Sequence, residues 1–94
     1  MNKSLLGILK LEDDIIFLIK KCKDRIAVFN SHIDIVTFSN LGCEEKRHRI
    51  DAYNRLIYDE QKMLEIHQSD LDEVRSEMRD YFMHLFEKGG KNDG

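Results

Sequence analysis

Proline and tryptophan are both missing from this chain of 94 residues, and glycine occurs only five times. A turn-rich β fold draws on proline and glycine wherever the backbone reverses, so their scarcity points instead to long uninterrupted helices. Cysteine is scarce too. The pair Cys22 and Cys43 is too small for a disulfide framework, and helical spacing would hold the two thiols several turns apart. Reduced thiols and a cytoplasmic setting are therefore expected. Long apolar runs are also lacking: Lys10, Glu12, Asp13 and Asp14 interrupt the first one, which leaves no signal peptide and no membrane span. Nor does one sign of charge dominate. Fifteen basic and eighteen acidic residues leave a formal net charge of -3, which argues against a general affinity for nucleic acid. At this length the chain forms one domain at most, close to the size where a single core is barely sufficient.

What is present is rhythm. From Ile50 to Leu85 the residues Ile50, Ile57, Leu64, Leu71, Met78 and Leu85 recur every seven positions and are all apolar. A wetter row, Tyr53, Glu60, His67, Val74 and Tyr81, runs beside them. An apolar stripe of period 3.5 keeps facing a partner only if two helices wrap around each other, so this half reads as one arm of a coiled coil. "HQSDLDE" offers a competing N-cap at Ser69 or Asp70, with Glu73 placed as in a capping box. The rhythm stays in phase across it, which favours one continuous helix.

The first half carries two adjoining stripes. One passes through Leu11, Ile15, Leu18, Cys22, Arg25, Phe29 and Val36, the other through Leu5, Leu9, Ile16, Ile19, Ile26 and Ile33. An apolar face this wide should touch more than one neighbour. "IDIVTF", Ile33 to Phe38, has the β-branched content of a strand, yet no second strand is evident to pair with it. "SNLGCEE" supplies the turn, with Asn40 and Gly42 as stop signals and Glu44 and Glu45 suited to a helix N-terminus.

The expected fold is all-α: an antiparallel helical hairpin occupying residues 1–88, with helices at about 4–38 and 44–87, a turn at 39–43 and a disordered tail at 89–94. Such a rod would be about 50 to 65 Å long at about 1.5 Å per residue. Each helix has only one companion, so the surplus apolar face calls for association, most simply of two hairpins into a four-helix bundle.

Candidate sites fall into three groups. Arg25, Glu60 and His67 are polar residues on the seam, and an antiparallel hairpin sets Glu60 opposite Cys22 and Arg25, and His67 near Asp14 and Ile15. A Glu60 to Arg25 pair would fix register, the best attested role of charge in a helix seam. Protein-contact candidates are Tyr81, Phe82, Met83, Leu85 and Phe86, which ring the end of the second helix, together with Ile16, Ile19, Ile26 and Ile33. Nucleic-acid candidates are Lys46, Arg47 and Arg49 at the start of the second helix and Lys20, Lys21 and Lys23 on the first.

Chemistry finds little support. There is no glycine-rich phosphate loop, no Cys-x-x-Cys and no recognisable nucleophile arrangement. Glu45 and His48 have the Glu-x-x-His spacing of di-iron bundles, but those sites need two such motifs and two further glutamates at mid-bundle. No catalytic residue, metal, cofactor or small-molecule substrate is expected. Of three resemblances, two are of architecture and one is a faint similarity of a single helix. The plan resembles the small plasmid-borne RNA-binding hairpin dimers, with no motif that aligns. It is similar in length to small type VII secretion proteins, whose Trp-x-Gly turn is here Leu41-Gly42-Cys43. "LEDDIIFLIKKCKDRIAVF" resembles the first helix of all-helical chorismate mutases, which gather arginines around a dianion where this segment is mostly lysine. The reading that fits best is a non-catalytic regulator or adaptor that works through protein contacts, as a homodimer or with an unidentified partner. A nucleic-acid-binding bundle and a type VII-like secreted hairpin are the alternatives.

Overall fold

The computed structural model describes residues 4 to 93, with side chains as far as Glu87. Two helices account for nearly all of it: α1, Leu5–Thr37, and α2, Cys43–Asp93. They pack along one another as a hairpin measuring 77 × 18 × 15 Å. The length is that of α2, whose 51 residues extend about 77 Å at about 1.5 Å per residue. It exceeds the expected length because α2 does not stop at Gly89. A helical glycine costs about 1 kcal/mol relative to alanine, far less than a proline, and the helix is assigned through it to Asp93. The tail expected at 89–94 is thus helical over most of that stretch, and Gly94 lies outside the described residues.

Local chemistry sets the helix ends. Ser4 caps α1 by accepting a hydrogen bond from the Gly7 amide at its hydroxyl, 3.1 Å away. The β-branched segment at the other end is helical, and Thr37 returns its hydroxyl to the Ile33 carbonyl at 2.7 Å. Local strand propensity yields there because Ile33 and Val36 turn inward on the helical period. The turn closes without any positive φ among the described residues, so Gly42 is not used as a left-handed stop. Instead the Ser39 hydroxyl donates to the Val36 carbonyl at 2.6 Å, and Lys46 Nζ reaches back to the Thr37 carbonyl at 3.0 Å. A cation thus meets the negative end of α1, while Glu44 and Glu45 sit at the positive end of α2.

The seam follows the seven-residue rhythm. On α2, Ile50, Tyr53, Ile57, Glu60, Leu64, His67, Leu71, Val74, Met78 and Tyr81 are each buried or half-buried, and α2 is unbroken across Ser69 and Asp70. On α1 the inward residues are Ile8, Ile15, Cys22, Phe29 and Val36, alternating with Leu5, Glu12, Ile19, Ile26 and Ile33. This seam takes members from both stripes read in the sequence. Leu18 and Arg25 of one, and Leu9 and Ile16 of the other, lie outside it. The core is thin: Ile8, Ile15 and Val74 form its cluster, with Leu11, Ile19, Leu71 and Met78 packed against them.

Candidate interaction surfaces

Among the described residues two charge pairs bridge the helices. Arg25 Nε donates to Glu60 Oε1 at 2.6 Å, and Arg75 Nε donates to Glu12 Oε2 at 3.1 Å. In both the carboxylate occupies a seam position and the arginine leans over it from the flank with about half its side chain in water. Each helix gives one glutamate and one arginine, and the two bridges lie on opposite edges of the hairpin. Interpolating between them sets His67 level with Ile19, about a turn from the Asp14 and Ile15 neighbourhood expected from the sequence.

Cys22 lies under the first bridge with none of its surface exposed. Arg25 Nη2 approaches its sulfur at 3.7 Å. Burial pushes the thiol pKa up, hydrogen bonding to Glu60 and the charge of that carboxylate push it further, and Arg25 acts in the opposite direction. Arg25 is held still more firmly protonated, chiefly by its bond to Glu60. Glu60 Oε2 is enclosed and has no hydrogen-bond partner of good geometry. A partly satisfied carboxylate in a seam is costly, so its retention fits a role in register.

The protein-contact candidates divide sharply. Ile19, Ile26 and Ile33 are half-buried in the seam and unavailable as an outer surface, whereas Ile16 is exposed. At the end of α2, Tyr81 is half-buried, while Phe82, Met83, Leu85 and Phe86 are exposed, Phe86 to 81%. The register explains this. The first turn of α1 lies level with Tyr81, so α2 runs past the end of its companion. Leu6, Leu9 and Ile16 continue the exposed surface along the edge that carries Arg75.

The basic candidates are dispersed. Lys46 is occupied at the Thr37 carbonyl, Arg49 pairs with Glu45 at 2.9 Å, and Lys21 sits over the Phe17 ring. Lys20 and Lys23 lie on mid-α1 and Arg47 near the turn, about 24 Å further along the rod. Glu45 and His48 are both exposed, and no group of three potential metal ligands gathers among the described residues. No helix among them is long and apolar enough to cross a membrane.

Residues that sequence reasoning missed as outer surface are Leu56, Met63 and Ile66 on α2, with Val28 and Ile35 on α1, all exposed. Leu56 and Met63 stand one position before Ile57 and Leu64, so a third apolar row beside the seam was the available signal. Comparison with known protein families, with curated proteins and with solved structures finds no match to this chain.

Proposed function

We propose that this chain is a non-catalytic helical-hairpin module that acts through protein contacts, as a small regulator or adaptor of the cytoplasm. The supporting observation is the imbalance between inner and outer apolar side chains. Among the described residues five hydrophobic side chains are buried, whereas sixteen large ones are exposed. The accessible surface is 7571 Å², against about 5,700 Å² for a compact protein of 11.1 kDa. A surplus of about 1,900 Å² is the area one partner gives up in a large, permanent interface. The exposed apolar groups lie along the edges of a rod, so the partner surface is itself elongated and helical, as in a bundle.

The test is capture and sizing of the purified chain beside a variant carrying Leu56→Glu and Phe82→Glu, with helicity followed in both. A defined assembly, homomeric or heteromeric, is expected for the parent and lost in the variant. A helical monomer that assembles with no protein, and is retained on RNA with a steep salt dependence, would overturn the reading. That result would favour the nucleic-acid alternative, for which Lys20, Lys23 and Arg47 are exposed candidates.

A further inference from the structure

One row of α2 is self-complementary. Arg49, Leu56, Met63 and Asp70 stand seven residues apart, each immediately before a seam residue: Ile50, Ile57, Leu64 and Leu71. The buried rows keep their seven-residue spacing from Ile50 to Met78, so the row one step before them also stays on one edge of the rod. All four side chains are exposed, Leu56 by 44% and Met63 by 45%. The order along the edge is cation, apolar, apolar, anion. Reversed and laid against itself, the row matches: cation on anion at both ends, apolar on apolar between.

The neighbouring edge of α1 extends this surface. In an antiparallel pair the rows preceding the seam lie on the same side, and Arg25 confirms the side by reaching Glu60 from there. That row of α1 carries Leu11 and Leu18, with Val28 and Ile35 next to it. On both helices the row beside the seam is thus apolar at two positions, Leu56 and Met63 on α2 and Leu11 and Leu18 on α1, which widens the apolar face beyond the two rows a two-stranded coiled coil needs.

Resting on the protein-contact reading above, we propose that the occupant of this edge is a second copy of the chain, docked antiparallel about an axis near Asp59. Leu56 then meets Met63 of the other copy, and Arg49 meets Asp70 of the other copy, each pairing occurring twice. Stacked this way, α1 runs against α1 and α2 against α2, so every neighbouring pair in the bundle is antiparallel. A parallel arrangement would bring the two turns together and set each row level with its own copy, Arg49 with Arg49 and Asp70 with Asp70, so the complementarity of cation and anion along the row would be lost. The existing Arg49 to Glu45 pair is no obstacle, because both side chains are half in water and such a pair is weak. The surplus surface of about 1,900 Å² per chain falls within the share that one subunit of an obligate dimer buries.

The test combines solution mass with charge exchange. Light scattering across a concentration series is expected to give twice the chain mass. Arg49→Asp alone and Asp70→Arg alone should each weaken the dimer about tenfold or more, because each places like charges at both ends. The double variant should return to within a few fold of the parent. Met63→Glu should give a helical monomer, whereas Ile16→Glu on the opposite edge should leave the mass unchanged. Disulfide formation between one chain carrying Leu56→Cys and another carrying Met63→Cys, both with Cys43→Ser, reads the same pairing without relying on any charged variant. A monomer at all concentrations, a dimer indifferent to Met63→Glu, or a double variant no better than the singles would overturn the second copy as occupant. A helical monomer that still binds a different protein would do so while leaving the broader reading intact.

Discussion

The guanidinium of Arg25 and the carboxylate of Glu60, thirty-five positions apart in sequence, meet at 2.6 Å across the seam and enclose the thiol of Cys22 beneath them. Glu60 sits where a coiled-coil seam ordinarily holds an apolar residue, and its side chain is only 18% exposed. Desolvating a carboxylate costs more than one partly solvated ion pair returns, so the bridge selects register more than it adds stability. Replacing Glu60 by leucine is therefore expected to raise the melting temperature, by about 5 °C. Arg25→Met should lower it by leaving the carboxylate without its cation. Thermal unfolding followed by circular dichroism decides between this account and one in which the bridge is a net stabiliser, where both variants would melt earlier.

Cys22 links the same bridge to pH. In the unfolded chain its thiol ionises near 8.5, whereas in the native seam burial and Glu60 push its pKa upward. Ionisation thus favours the unfolded chain. Stability from this group is complete below about pH 8.5 and is lost as pH rises through the native value. The melting temperature should fall more steeply above pH 8.5 in the parent than in Cys22→Val. Under native conditions a thiol reagent should label exposed Cys43 promptly and Cys22 about a hundredfold more slowly or less, since reaction at Cys22 waits for opening of the seam. Equal labelling rates would contradict the enclosed position.

The two helices differ in how much of this was legible in sequence. α2 has one apolar row on a seven-residue period with polar residues at most other positions, so its inward face is fixed by period alone. The Arg25 to Glu60 contact follows from that face and a turn near Leu41. In α1 four neighbouring rows are apolar in part, through Leu9 and Ile16 on one flank and Leu11 and Leu18 on the other. Periodicity then cannot rank the faces, and only the position of α2 shows that Ile15 and Ile19 turn inward together while Leu18 and Ile16 turn out. The separation of the two basic groups was legible from their distances to the turn, whereas the local engagement of Lys46, Arg49 and Lys21 was not. The Ser4 cap was not read from the sequence, although its type and its place before an apolar run were the signal for it.

Ile15 and Ile16 provide a direct measure of that division. They are adjacent and chemically identical, yet Ile15 is 5% exposed in the core cluster and Ile16 is 42% exposed on the flank. Ile15→Ala should destabilise the chain by about 2 to 4 kcal/mol through lost burial and a residual cavity, whereas Ile16→Ala should change it by about 0.5 kcal/mol or less. Urea denaturation with a common slope gives both values. Comparable losses at the two sites would mean that α1 is rotated from the orientation described.

The end of α2 is where this rod should open first. Past Phe82 there is no α1 residue at the same level, and Phe82, Met83, Leu85 and Phe86 are all exposed. Among the described residues no α1 side chain backs the backbone hydrogen bonds of this segment, and short helices without tertiary contacts are marginal in water. Amides at 71–78 are backed by the Ile8, Ile15 and Val74 cluster and can exchange only when the hairpin separates. Hydrogen exchange should therefore be faster at 83–87 than at 71–78 by a factor of about 100 or more, with the step near residue 82. A second copy docked through the Leu56 and Met63 edge is centred closer to the turn and leaves this step in place. If protection extended undiminished to Glu87, something would have to cover Phe82 and Phe86, and the overhang itself would become a contact surface of the assembly.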